Sequence, residues 1–299
     1  MNDFLLALIA LGPTASSVMK RLLDAALFGI RRYVEPYYLA HEEKVKAKSE
    51  LEVFRSSPLR QLEFAQEFMK NAGGRFPEDA VLELKNIYGV IRSAVGCADA
   101  APCGDAIYSE AEDKEWYSRF FDEAKYISDA ELQEVWGRLL TERMSHPEGV
   151  NNRVLYFIRD LDKREIEVIR RSMRVFLDDD FTPNNVSSLI DGMSTDIPAL
   201  LSLRVIYMDG NPISPLVVSF DLTKQTVIEG HGYDFKMVPI GDISDIHVTC
   251  CALTPEGQVL SRLCVSDLTR EEAQIICDHL NACWKGRVRV EVVEKGSRM

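Results

Sequence analysis

Apolar residues recur at intervals of three and four up to about residue 203, and at intervals of two beyond Arg204. The first spacing lays side chains on one face of a helix; the second lays them on one face of a strand. Helices in series followed by strands in series, without βαβ alternation, predict an α+β fold: N-terminal and central helical regions followed by a smaller C-terminal mixed sheet-and-helix domain. The 299 residues are about two domains' worth at about 150 residues each. Residues 96–112 (GCADAAPCGDAIYSEAE) are small, polar and aperiodic, and read as a linker. The expected organisation is a helical assembly region over 1–95, a central helical domain over 113–205 ending in a winged-helix-like segment, and an α+β domain over 206–299.

Between Thr14 and Val34, the residues Met19, Leu23, Ala26, Ile30 and Tyr33 follow one another at a/d-type spacing. Val18, Leu22, Ala25, Leu27 and Phe28 widen that stripe, leaving Lys20, Asp24 and Arg31 on the remaining face with Arg21 and Arg32 at its border. Pro36 is expected to end or kink the helix. Tyr37 to Arg55 is charged, with Glu42 and Lys46 spaced i,i+4 for an exposed helix. Pro58 interrupts; Leu62, Ala65 and Met69 mark a short helix closed by Gly73-Gly74; and Pro77 opens another through Val81, Leu84, Tyr88, Ile91 and Val95. Further on, Trp116, Phe120, Trp136 and Leu139 are the expected core of the central helices. Ser128 with Glu131, and Asp162 with Glu165, have the spacing of capping boxes.

Leu216–Phe220, Thr226–Glu229, Asp234–Val238, Ile246–Ala252, Gln258–Val265 and Arg287–Val293 read as strands, and Thr269 with Glu272 opens the one late helix. No apolar run approaches the 18 residues of a spanning helix. Phe4 to Leu11 is apolar, but Asp3 precedes it and no small-residue cleavage site follows, so no targeting segment is expected. The seven cysteines are an odd count, which favours reduced thiols and a cytoplasmic setting.

The balance of 35 basic against 47 acidic residues gives a net charge of −12, which repels a phosphate backbone. No phosphate loop, dinucleotide fingerprint, zinc-protease helix or nucleophile elbow occurs. Glu78, Asp79, Glu83 and Lys85 are the best nuclease-like set, but their helical spacing favours a solvated helix start. The spacing of His247, Cys250, Cys251, Cys264, Cys277, His279 and Cys283 does not fit a structural zinc site; alternation puts Cys250 and Cys251 on opposite faces, and the cysteines read as core filler. Cys97 and Cys103 lie in the linker and are the more reactive pair by setting. His231, between two glycines, reads as a turn residue. Residues 184–211 suggest helix, turn, helix, strand, yet the second helix offers only Arg204 to a duplex, so a winged-helix shape without DNA binding is expected.

The string Trp116, Arg119-Phe120-Phe121, Ala124-Lys125, Ile127-Ser128-Asp129, Glu131-Leu132-Gln133, Trp136 and Leu139-Leu140, closing at Pro147, resembles a bacterial family known only as a domain of unknown function, number twenty-eight-oh-six in its series. Gly29-Ile30 and Val34-Glu35-Pro36 are similar to that family's N-terminal part. The hairpin is also similar to one in abortive-infection proteins of the Abi-alpha type. The resemblance implies bacterial origin and a role in defence against phage, and it brings no catalytic residues.

A helix apolar over more than half its circumference has to be covered. For residues 14–34 three covers stay open: a second copy of the chain through Met19, Leu23, Ala26, Ile30 and Tyr33; a bundle with residues 59–95 of the same chain; or peripheral contact with a membrane surface, to which Lys20, Arg21, Arg31 and Arg32 would add attraction. The resulting expectation is a non-enzymatic, self-associating scaffold or sensor without metal or cofactor, meeting a protein partner through its C-terminal domain. Its rival is an effector enzyme, a metal-dependent nuclease above all, whose site assembles from distant residues.

Overall fold

Eleven helices and seven strands are described in a computed structural model covering residues 16–41, 48–71, 73–98, 110–178, 180–183, 190, 196–207, 216–264 and 267–295. The chain divides into two compact units, 1–159 and 160–299.

The first unit is helical: α1 (Ser17–His41), α2 (Lys48–Ser56), α3 (Pro58–Lys70), α4 (Glu78–Ala98), α5 (Glu110–Ala124), α6 (Ala130–Ser145) and α7 (Asn152–Arg159). Helix α1 is not ended by Pro36 but runs through it to His41, without the N–H that would bond the Arg32 carbonyl. The N-cap of α6 is Asp129, not Ser128: its Oδ1 accepts from the backbone N–H groups of Glu131 and Leu132 at 2.9 and 3.2 Å. The expected boundary at 96–112 does not separate two units. Gly137 lets α6 approach α4 so closely that a Cβ there would stand 2.6 Å from the Ala94 nitrogen. The Thr141 hydroxyl then donates to the Ala94 carbonyl at 3.1 Å. Trp116, Phe120, Trp136 and Leu139 are all buried, with Trp116 stacked on Phe120 at 5.1 Å and Phe120 against Trp136 at 5.3 Å. A second aromatic cluster joins α1 to α2 through the Tyr38–Phe54 stack at 4.1 Å and closes the α3 end through the Phe68–Phe76 stack at 4.2 Å.

The second unit begins with α8 (Lys163–Met173), whose Asp162 and Glu165 form the full capping box. Strands β1 (Phe181–Pro183), β2 (Ile206–Tyr207) and β3 (Val217–Asp221) all pair antiparallel with β6 (Asp245–Leu253), Phe181 opposite Ala252 and Ser219 opposite His247. The other sheet has the order β4-β5-β7, with β4 (Val227–Glu229), β5 (Tyr233–Pro239) and β7 (Val288–Glu294). Helix α9 (Asp196–Ser202) precedes β2. Residues 258–265, expected as a strand, belong instead to α10 (Pro255–Leu263) and its C-cap Cys264, with 265 outside the described residues. The reason is local: Thr254 accepts from the Gly257 N–H at 3.1 Å and Pro255 stands at the first helical position. Helix α11 (Arg270–Cys283) opens on the Thr269–Glu272 capping box. At its end the Trp284 indole donates to the His247 carbonyl at 2.7 Å and its ring meets Phe220.

Of the helix–turn–helix expected over 184–211, residues 184–189, 191–195 and 208–211 lie outside the described residues. So do Cys103, Glu42 and Lys46. Among the described residues no helix is long and apolar enough to cross a membrane.

Candidate functional site: a basic groove along helix α1

The stripe of α1 is packed by its own chain. Met19, Ala26 and Ile30 are buried, along with Val18, Leu22, Ala25 and Val34, against the other helices of the unit. Leu23 and Tyr33 are half-buried, and the Tyr33 hydroxyl already donates to Glu83 Oε2 at 2.8 Å. Burial and the adjacent Glu83 carboxylate push the Tyr33 phenol well above its usual range. Three of the five residues expected to mediate self-association are thus packed inside the unit.

The remaining face of the same helix lines a groove of 520 Å³. Arg21, Asp24, Ala25, Phe28 and Arg31 follow one another at intervals of three, one, three and three, so all sit on one side of α1. Opposite them stand Arg55 and Ser56 at the end of α2, Pro58 and Gln61 from α3, and Lys114 and Tyr117 from α5. Four cations and one carboxylate thus surround an apolar floor of Leu27, Phe28 and Tyr117, in a protein whose net charge is −12.

Each wall is held in place. Gln61 is buried, and its amide nitrogen donates to the carbonyls of Phe54 and Arg55, both at 2.9 Å, which fixes the α2–α3 corner. Glu35 accepts from Arg55, and that carboxylate raises the Arg55 guanidinium above its ordinary value. The Tyr117 hydroxyl donates to the Met144 sulfur at 3.3 Å, and its ring packs 6.4 Å from that of Phe28. Arg21 gives one N–H to the Met144 carbonyl at 3.1 Å. Arg31 is half-buried and has no hydrogen-bond or ion-pair partner among the described residues. Asp24 is partly desolvated, which raises its carboxyl above the usual carboxylate range.

The other sequence candidates fall elsewhere. Glu78, Asp79 and Lys85 are exposed on α4, while Glu83 is used by Tyr33 and lies 4.0 Å from the Lys125 ammonium. Among the described residues no three His, Cys, Asp or Glu side chains are grouped to hold a metal ion. Cys250 and Cys251 are both buried, as expected of core filler, because the last four residues of β6 are covered on both faces. Burial pushes the Cys250 and Cys277 thiols up to about 11, which leaves them as unreactive packing groups. Cys283 is exposed, 3.5 Å from His279 Nε2. Its thiol too is raised by desolvation. His231 sits in the β4–β5 turn, where Gly232 has φ +78° and closes against Asp267.

Residues 75–189 match the model of a family described as Protein of unknown function (DUF2806). That range contains the hairpin of α5 and α6. Nothing among the curated proteins matches the chain, nor does any solved structure. Of the groove's lining only Lys114 and Tyr117 fall inside the matched range; the α1, α2 and α3 walls lie outside it.

Sequence reasoning placed Asp24 and Arg31 on the face of α1 away from the stripe, with Arg21 at its border, but it did not gather Arg55, Gln61, Lys114 and Tyr117 beside them. The missing signal was a second, mixed stripe at i, i+3, i+4, i+7 and i+10, in which Ala25 and Phe28 alternate with charged residues.

Proposed function

We propose that the protein is a non-enzymatic, ligand-responsive scaffold whose helical unit holds an anionic, partly apolar molecule in the groove along α1. Arg31 carries the reading. A half-buried guanidinium without a hydrogen-bond or ion-pair partner among the described residues has N–H donors to spare, and a bound anion would use them. The volume of 520 Å³ falls within the usual range of small-molecule sites, about 300–1,000 Å³. Leu27 and Phe28 beside the cations favour a ligand with an apolar body over a bare inorganic ion. Focusing of a local positive field within an acidic protein adds selectivity for an anion that is small enough to enter, where a nucleic acid would meet the repulsion of the whole molecule.

In this reading the α+β unit is the partner-binding part. As its setting we propose bacterial defence against phage, on the resemblance in sequence of the Trp116–Pro147 stretch to abortive-infection proteins of the Abi-alpha type. Phage plating on host cells with and without the gene tests the setting. The ligand reading is tested by calorimetric titration of the full chain with decanoate and with uncharged 1-decanol. Decanoate is expected to bind and 1-decanol to bind far more weakly, with decanoate binding lost in Arg31→Glu. Equal binding of the two probes, or full retention in Arg31→Glu, would sink the proposal.

A further inference from the structure

The groove's charges are not spread evenly along its length. Arg21 and Arg31 are ten residues apart on one helix, and at 1.5 Å per residue their backbones stand about 15 Å apart along its axis. The other two cations come from neighbouring elements, one on each side of the groove's middle. Helix α5 runs beside α1 in the same direction, since Tyr117 meets Phe28 and Asp122 pairs with Arg32 at 2.8 Å. Lys114, one turn before Tyr117, therefore lies toward the Arg21 end. Arg55 is tied to Glu35, one turn beyond Arg31, and so belongs to the Arg31 end. Between the two arginines come Leu27 and Phe28, while Asp24 sits one turn from Arg21, where its carboxylate lowers the net positive charge of that end.

We infer that the groove is a two-ended clamp for an elongated dianion, in which two carboxylate or phosphate groups are held by Arg21 and Arg31 across an apolar middle. This rests on the reading of the groove as an anion site and narrows it. A guanidinium at each end offers planar, paired N–H donors to a carboxylate or a phosphate, while the apolar floor accepts a methylene or aromatic linker. A ligand with a single anionic group would engage one end only. The second anionic group binds as an intramolecular partner of the first, so affinity has an optimum at the chain length that reaches both ends.

The test is a molecular ruler. Linear α,ω-dicarboxylates from adipate to hexadecanedioate are titrated calorimetrically into the full chain, with decanoate as the one-ended control. An optimum is expected where the extended carboxylates span the distance between the arginines, with binding at least about tenfold tighter than decanoate. Arg31→Gln should return that optimum to the decanoate level, and Arg21→Gln should do the same from the other end. Arg21→Gln gives up a hydrogen bond to Met144, so Arg31→Gln, which removes no contact within the described chain, carries the test if the first variant fails to fold. A parallel series of α,ω-bisphosphates shows which anionic group the ends prefer. Dicarboxylates that bind no better than decanoate at every length would overturn the clamp and leave the anion site standing. Failure of decanoate and all dianions alike would overturn both.

Discussion

Met19, Ala26 and Ile30 on one side of α1, and Arg21, Phe28 and Arg31 on another, come from the same 25-residue helix and answer to different constraints. On the first side every position is fixed by close packing against helices of the same unit, and the residues read as an ordinary apolar stripe. On the second, cations and an aromatic ring line a concavity that the bundle does not fill. A stripe that looks excessive for one neighbour is used up when several helices pack around it, as α3, α4, α5 and α6 do here. The width of an apolar surface thus reports how many neighbours a helix has, and not whether they belong to another molecule. What remains after packing, the mixed face, is the better place to look for a ligand.

The contrast can be broken most decisively from the packed side. Trp136→Ala should cost about 3–5 kcal/mol and Ile30→Ala about 2–5 kcal/mol, since each removes a fully buried side chain and leaves a cavity. Denaturant unfolding followed by circular dichroism measures both. An unchanged midpoint for Ile30→Ala would mean that the stripe is not packed by its own chain, and would restore it as an intermolecular surface.

Gly29 separates the two faces and gives the next largest effect. A Cβ there would lie 2.6 Å from the Phe121 ring, so Gly29→Ala must push that ring aside. Overpacking of this kind costs about 1–3 kcal/mol. Thermal melting of the variant reads it, and Phe121→Leu in the same background should recover part of the loss by making room. If Gly29→Ala melts at or above the native temperature, as helix propensity alone would have it, α5 does not lie against α1 at this point.

How much of this was readable beforehand depended on the range of the interactions. The Asp162–Glu165 and Thr269–Glu272 caps, and the strands at 217–221, 233–239 and 288–294, are specified within a few residues and were legible. Residues 258–265 were misread because Val259, Leu260 and Leu263 satisfy either period, and the deciding signal, Thr254 with Pro255, lies just upstream. The boundary at 96–112 was misplaced because a break in periodicity marks a connection and not a division: Gly137 and Thr141 bind α6 to α4 across it. One wall of the groove was legible on α1. Its other walls come from helices α2, α3 and α5, up to 96 residues away in sequence (Arg21 to Tyr117), and no local pattern links them.

On the groove side the expected signature is reversed, with function lost and stability kept. Arg31→Gln should stay within about 0.5 kcal/mol of the native protein, because the side chain makes no hydrogen bond or ion pair within the described chain. Its decanoate affinity should fall about tenfold or more. Calorimetry and thermal melting on the same preparation decide this. A large loss of stability with little loss of binding would show that Arg31 serves the fold.

Asp24 gives the smallest effect and the one that depends on pH. Partial burial raises its carboxyl in the folded protein above the ordinary value of about 3.9 that holds in the unfolded chain. The folded state therefore holds this proton more tightly. The resulting stability is fully present below the unfolded value and is lost as pH rises through the raised folded one. At neutral pH the native protein carries a partly desolvated charge that Asp24→Asn removes, so the variant should melt slightly higher at pH 7. That gain should vanish near pH 3, where the native side chain is neutral as well. Solvent still reaches the group, so the shift should be smaller than the one at Gly29. Binding supplies an independent sign. If Asp24 repels anions in the groove, Asp24→Asn should tighten both decanoate and the matched dicarboxylate, the dianion by at least as much, and added salt should shrink the gain. Weaker binding of both probes in Asp24→Asn would instead mean that the carboxylate holds Arg21 or Arg31 in position.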